Sequence, residues 1–236
     1  MTACINPNGM SNTALQNVEE RKRQYIHAIE YYLNHTDFQI LFVENSGYDI
    51  SSLFENAISH GRIEMLTYEG NHFDRSLGKG YGEGLIMRHA LSHSKILKDD
   101  SIIIKVSGRH IVKNINLIVS LTSMFSNCRQ VVVCDVNPKT RGANSDMFIG
   151  TMDFYRFFDK YVENINEREN IWFEHVLYAA IVDFCKGKGN FVYLPLPLNQ
   201  EGVSGSMGIK FKHPSCSLYM KHLLKTLLYQ FGIRRI

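Results

Sequence analysis

The residues best suited to chemistry stand in two short segments. Gly78-Lys79-Gly80-Tyr81-Gly82-Glu83-Gly84 is a glycine-rich turn running into an amphipathic segment. Further on, an apolar run over 101–106 ends abruptly in Ser107-Gly108-Arg109-His110. Glycines 80, 82 and 84 permit close backbone approach to a ligand. The helix N-terminus behind them favours an anion, and Lys79 and Glu83 bring charge beside it. Open α/β sheets bind ligands beyond the carboxyl ends of their strands. The two segments together therefore predict a site for a phosphate-bearing substrate, with a plain tight turn into a helix as the alternative. Glu44 and Asn45 follow another apolar run and would hydrogen-bond a base, ribose or sugar hydroxyl, or else shape a turn. The loop 202–208 offers the hydroxyls of Ser204 and Ser206 and would close over a ligand, or would serve as a surface connector.

Several common chemistries are excluded. No Gly-Lys-Ser/Thr closes the glycine-rich turn, and no G-x-G-x-x-G or G-x-S-x-G is present. The histidines form no H-E-x-x-H motif, so no dedicated zinc site is predicted. A net charge of +3 with dispersed basic residues does not predict nucleic acid binding. Five cysteines without a CxxC pair predict free thiols in a reducing compartment. No apolar run reaches membrane-spanning length and Met1–Gly9 lacks a secretory signal, so the expected location is the cytoplasm.

The elements that must position these residues alternate along the chain. Strands are predicted over 2–5, 38–43, 62–68, 101–106, 130–134 and 191–194. Helices are predicted from Asn12 or Thr13 to about Tyr32, from Asp49 or Ser51 to Ile58, and over 81–97. Others follow from Asn114 or Asn116 to Phe125, and over 153–161, 171–185 and 217–236. Repeated strand–helix alternation predicts an α/β fold with a mostly parallel central sheet flanked by helices and a helical C-terminal region. The 236 residues, 44% of them apolar, suit a single domain.

The order of these elements resembles the GT-A class of nucleotide-sugar glycosyltransferases, Rossmann-like enzymes, and in particular small bacterial ones that build capsule or O-antigen polysaccharide. The resemblance is carried by Val43-Glu44-Asn45-Ser46-Gly47, Lys79–Gly84, Lys105-Val106-Ser107-Gly108-Arg109-His110, Phe148-Ile149-Gly150-Thr151 and Trp172-Phe173-Glu174-His175. It spans roughly residues 1–205. It implies a nucleotide-sugar donor, a glycan or lipid-linked acceptor, a donor-binding half over 1–140 and an acceptor and catalytic half over 141–236. Donor contacts would fall on Glu44, Asn45, Lys79, Gly80, Gly82, Glu83, Ser107, Gly108, Ser204 and Ser206.

One departure matters. The class usually carries Asp-x-Asp at the end of the central strand to hold a divalent metal against the diphosphate, and here the position reads Ser107-Gly108-Arg109. Guanidinium binds phosphate bidentately and is always charged, so Arg109 would replace the metal, unless it merely pairs with a surface carboxylate. No metal or cofactor is therefore expected. Asp135-Val136-Asn137 is the remaining D-x-[DN], and an Asx turn before Pro138 is the preferred reading of it. The class places its general base near the start of a helix in the second half. Glu174 fits, behind the bulk of Trp172 and Phe173, with an ordinary first-turn glutamate as the alternative. His175 would tune or position it, and Glu83 and Asp146 are reserve candidates. The last helix mixes leucines with Lys221, Lys225, Arg234 and Arg235. It predicts either a core-packing helix or peripheral contact with an anionic membrane. The expected function is glycosyl transfer. The alternatives are sugar-phosphate nucleotidyl transfer and a catalytically silent binding subunit of a polysaccharide assembly complex.

Overall fold

The structure, a computed structural model, describes residues 1–125, 130–187, 189–204 and 208–230. The strands are β1 (Thr2–Ala3), β2 (Ile40–Glu44), β3 (Ile63–Thr67), β4 (Ile102–Val106), β5 (Ile111–Val112) and β6 (Val131–Cys134), then β7 (Val136–Asn137), β8 (Gly142–Ala143), β9 (Met147–Thr151), β10 (Asn190–Tyr193) and β11 (Gln200–Glu201). The helices are α1 (Val18–His35), α2 (Glu55–Ser59), α3 (Lys79–His93), α4 (Ile115–Phe125), α5 (Met152–Asp159), α6 (Phe173–Lys186) and α7 (Cys216–Gln230).

β1, β2 and β3 pair in parallel, and a parallel bridge from Thr2 to Ser107 joins them to the ladder β4-β9-β6-β10. The order across the sheet is thus β3-β2-β1-β4-β9-β6-β10, with β9 antiparallel to both its neighbours. This is the expected mostly parallel α/β sheet. β9 was read only as a motif, because five residues alternating no clear polar face carry a weak strand signal when both faces are covered.

The alternation of side chains across strands splits the core into two layers. Val131 and Val133 of β6 pack with Tyr25, Ile29, Tyr32, Ile115 and Ile118 from α1 and α4. Val132 and Cys134 face the other way, into Phe154, Phe158, Phe173, Leu177 and Ile181 from α5 and α6, with Met87 from α3. Wholly buried strands such as β6 need both coats, which explains their unbroken apolar runs.

Local signals placed most element ends within a few residues. α1 starts later than Asn12 or Thr13. Its cap is Asn17, whose side chain accepts the Glu20 N–H at 2.8 Å. α7 departs from an ordinary core-packing helix. Its buried face is polar, His222 and Thr226 reaching the carbonyls of Leu194 and Tyr193, while Leu218, Met220, Leu223, Leu224 and Leu227 are exposed. The expected residues 231–236 of that helix lie outside the described residues. Among the described residues no helix is long and apolar enough to cross a membrane.

Candidate functional site

A cleft of about 800 Å³ opens at the carboxyl ends of β1, β2 and β4. It is the edge where a mostly parallel sheet exposes strand ends, turns and helix starts together. Arg109, Asn45, Lys79, Gly80, Gly82, Glu83, Ser107, Gly108, Ser204, Glu174 and His175 all line it. Glu44 does not, and Ser206 lies outside the described residues.

The floor is built around Lys105, the penultimate residue of β4. It is 3% exposed, and its ammonium lies 2.6 Å from a Glu83 carboxylate oxygen and donates to the Ser145 carbonyl. Glu83 also accepts the Thr2 hydroxyl at 2.9 Å. One buried ion pair therefore ties β4, α3, β1 and the β8–β9 connection together, and removing either partner would strand a charge in the core. Glu83 was expected to bring charge beside the helix start together with Lys79. It turns inward instead, and the Tyr81 hydroxyl donates to Glu163 at 2.9 Å.

Beyond β4 the chain turns through Ser107 and Gly108 to Arg109. A Cβ at Gly108 would stand 2.6 Å from the Thr2 carbonyl oxygen, so only glycine lets β1 and β4 meet here. Arg109 is half-buried and donates to the Gln24 side chain at 2.7 Å. It forms no ion pair among the described residues, so the surface-carboxylate reading does not hold. Burial pulls its pKa below the ordinary arginine value; Tyr25 opposes that pull and the neighbouring Arg21 adds to it. An anion in the cleft would relieve both costs. Arg21 itself lines the cleft but spends its donors on the carbonyls of Cys4 and Leu15, holding the loop after β1.

His110 follows, its Nδ1 3.4 Å from an Asp146 oxygen. Burial pushes the Asp146 carboxyl up, but the His110 contact and the Lys105 charge outweigh it and hold it below the usual carboxylate value.

The glycine-rich turn works differently from the expectation. The N-terminus of α3 is occupied by the protein's own carboxylate: the Gly80 N–H donates to Glu167 at 2.8 Å, and Asn12 donates to its other oxygen at 3.1 Å. That side chain takes the Gly80 N–H and places a negative charge at the helix start, which disfavours a ligand phosphate at Gly80. Gly78 has φ 87°, and a Cβ on it would lie 2.1 Å from the Glu167 carboxyl carbon. Gly78→Ala is accordingly expected to lower unfolding stability by about 1–3 kcal/mol, measured by denaturant titration, from left-handed strain plus displacement of Glu167. Gly82 faces the cleft more directly. A Cβ there would lie 2.9 Å from the Phe73 ring and 4.0 Å from the Asn45 amide nitrogen, both on the cleft wall. Because the half-buried Phe73 ring can swing, Gly82→Val should leave the melting temperature nearly unchanged while weakening ligand binding about tenfold or more by occupying the cleft. A large melting-temperature loss with unaltered affinity would make Gly82 a packing residue only.

Glu44 and Asn45 part ways at the end of β2. The Glu44 carboxylate is fully buried and accepts the backbone N–H groups of Ile5, Ser46 and Tyr48 at 2.8, 2.9 and 2.9 Å, and the Ser46 hydroxyl. It is a staple for the loops after β1 and β2, which corrects its expected donor role. Burial raises its pKa above the usual value, and the Ser46, Ile5 and Tyr48 hydrogen bonds oppose the rise. The Asn45 side chain, on a residue 2% exposed, donates to Asn71 at 3.0 Å, while its amide oxygen Oδ1 is buried and has no hydrogen-bond partner. A buried acceptor on a cleft wall is costly until a ligand N–H meets it.

The first turn of α6 also lines the cleft. Glu174 is half-buried and accepts the Ser145 hydroxyl at 2.6 Å. His175 is exposed, with Nδ1 3.4 Å from the Trp172 backbone nitrogen that donates to it. Trp172 is half-buried on the cleft wall rather than in the core. Asp135 borders the cleft, but the Tyr193 hydroxyl donates to one of its oxygens and His222 lies 3.8 Å from the other. Asn137 accepts the Lys139 N–H at 3.2 Å, the Asx turn that Pro138 suggested. Among the described residues no three His, Cys, Asp or Glu side chains converge as a metal-binding group. Ser204 lines the cleft, and its N–H donates to the Ile209 carbonyl at 2.9 Å.

Lys105, Ser145, Asn71, Phe73 and Glu167 were not foreseen as site residues, nor was the pairing of Lys105 with Glu83. Lys105 lay inside a quoted motif, but a lysine in an apolar strand gives no hint of its partner 22 positions away. Glu167 sits in a polar stretch with no periodic signal at all.

The chain matches no family model, and no curated protein matches it in sequence. Among solved structures, one similar chain is a Bacillus anthracis protein assigned as a glucose-1-phosphate thymidylyltransferase, in complex with a sucrose. It shares 9% identity over 95% of this chain and 94% of its own, with a TM-score of 0.47.

Proposed function

We propose that the cleft binds a nucleotide-linked sugar and that the protein transfers the sugar to a hydroxyl of a glycan or lipid-linked acceptor, as in the building of bacterial surface polysaccharide. The observation that carries this reading is that one cleft is lined both by Arg109, a guanidinium without a carboxylate partner among the described residues, and by Glu174, a half-buried carboxylate. The acceptor oxygen attacks the anomeric carbon and its proton passes to Glu174. The bond from that carbon to the diphosphate oxygen breaks, and Arg109 takes up the charge of the departing nucleoside diphosphate. The unpaired Asn45 oxygen would receive an N–H of the base. Donor contacts thus draw on residues 1–140 and the acceptor lies against 141–236. The exposed leucines of α7, with Lys221 among them, support contact with an anionic membrane where a lipid-linked acceptor would be met.

Sugar-phosphate nucleotidyl transfer is the second reading, and a specific observation favours it. The loop between β1 and α1 borders the cleft through Cys4, Pro7, Met10, Asn12 and Thr13, with Asn8, Gly9 and Asn12 all at positive φ. In that reaction a sugar-phosphate oxygen attacks the α-phosphorus of a nucleoside triphosphate and pyrophosphate leaves. That nucleophile is already anionic and leaves Glu174 without a task, which is why glycosyl transfer is preferred. Thermal shift with UDP-, GDP-, dTDP- and CMP-linked sugars, followed by an assay of nucleotide release, tests the first reading. Pyrophosphate release from a nucleoside triphosphate and a sugar 1-phosphate would install the second. Donor-induced stabilisation without turnover would make the chain a binding subunit.

A further inference from the structure

A second groove leaves the cleft along the outside of α6. The inner face of this helix, from Phe173 through Leu177 and Ile181 to Phe184, is spent on the core. His175, Tyr178, Ala179, Val182 and Lys186 recur at helical spacing and share the outer face. Thr140 and Arg141, from the loop of the β7–β8 hairpin, form the other wall of a groove of about 670 Å³. Thr140 and His175 line the cleft as well, so the two spaces meet beside Glu174. From His175 to Lys186 the helix runs about 16 Å, which suits a short oligosaccharide better than one sugar.

The groove carries unspent positive charge. Its carboxylate, Asp183, has both oxygens taken: Lys186 donates to one at 2.8 Å and the Tyr161 hydroxyl to the other at 2.9 Å. Arg141 is exposed and makes no ion pair among the described residues, and the same holds for Lys139 in the same loop. The hairpin is firmly seated. Val136 pairs with Ala143 and Asn137 with Gly142, and Ala143 is buried in the same core layer as Val176 and Leu177. Arg141 has φ 50°, a left-handed backbone that suits glycine or asparagine better than a residue with a long side chain. An arginine kept at such a position points to work for its guanidinium.

We propose that this groove takes an acidic oligosaccharide, one whose sugars carry carboxylates, and, resting on the glycosyl-transfer reading, that this saccharide is the acceptor. Arg141 holds a carboxylate with its fork of N–H donors, and Lys139 adds charge at the rim. Tyr178, half-buried in the groove, offers its ring to the apolar face of a sugar. A neutral glycan would leave both cations unpaired. A saccharide lying along this face of α6 ends beside Glu174, the group that takes the acceptor proton.

Calorimetric titration with trigalacturonate and with its neutral methyl ester tests this without donor or turnover. The parent protein should bind the acid about tenfold or more tightly than the ester. Arg141→Asn suits the left-handed backbone, so it should keep the melting temperature while losing most of that preference. Ala179→Glu, on the exposed helix face, should weaken binding of the acid and spare the ester. Equal affinity for acid and ester overturns the proposal, as does no binding of either, or a preference that survives Arg141→Asn. Tighter binding of geranyl diphosphate than of trigalacturonate, with the same dependence on Arg141, also overturns it, because the groove would then serve a lipid diphosphate. Arg141-dependent binding of trigalacturonate, with no nucleotide released from any donor, upholds the groove and its ligand and overturns the transferase reading alone.

Discussion

Glu174→Gln is expected to lower turnover by about 10²–10⁴-fold while leaving donor affinity and melting temperature close to those of the parent protein. The carboxylate stands in the first turn of α6, half-buried on the cleft wall, with the Ser145 hydroxyl on one oxygen at 2.6 Å. That contact fixes one oxygen and leaves the other for the acceptor hydroxyl. Glutamine keeps the shape and the acceptor for Ser145 but cannot take a proton, so the loss should fall on kcat and spare donor binding. A merely structural first-turn glutamate would behave otherwise, showing a small stability change from the lost dipole interaction and unaltered turnover. Parent-like turnover would move the assignment to Asp146. Glu83 is now the weaker reserve, because its carboxylate is committed to Lys105 at 2.6 Å.

Arg109→Ala should cost about 10²-fold or more in turnover, with activity of the parent protein unchanged by excess EDTA. The basis is the chain's own residues. At the end of β4 the sequence provides Ser107-Gly108-Arg109, and the guanidinium is half-buried, faces the cleft and lies close to Arg21. Two cations so placed are eased by a diphosphate and strained without one. Arg109→Lys should restore only part of the loss, since an ammonium cannot reproduce the bidentate fork. The glycine-rich turn is the weaker phosphate holder, because Glu167 already accepts from Gly80 at the start of α3. Loss of turnover in EDTA and its return with Mn²⁺ would overturn the assignment, and Asp146 and Asp135 would be the first carboxylates to test as ligands.

Much of the scaffold was legible in the sequence because it rests on local signals. Val131–Cys134 declares itself as a buried strand by an unbroken apolar run, Ile102–Val106 as a strand by an apolar run broken at Lys105, and α6 declares itself by its helical periodicity. Alternation of such elements implied the mostly parallel sheet, and the sheet implied a site at its carboxyl edge. The residues brought together there, among them Asn45, Arg109 and Glu174, follow from that rule. β9 escaped because a strand covered on both faces has no alternating polar partner, and its antiparallel direction depends on the β7–β8 hairpin that reverses the chain before it.

What each charged residue does was decided only by the tertiary structure. Glu44 and Glu83 both looked like ligand contacts, yet one is consumed by backbone N–H groups from two loops and the other by a lysine on a different strand. Gly80 looked like a phosphate cradle, yet Glu167, 87 residues away, fills the position. Sequence fixes propensity and period, which act over a few residues. The partner of a charge or of a helix end is set by which elements the fold packs side by side, and that is a long-range outcome no local pattern encodes.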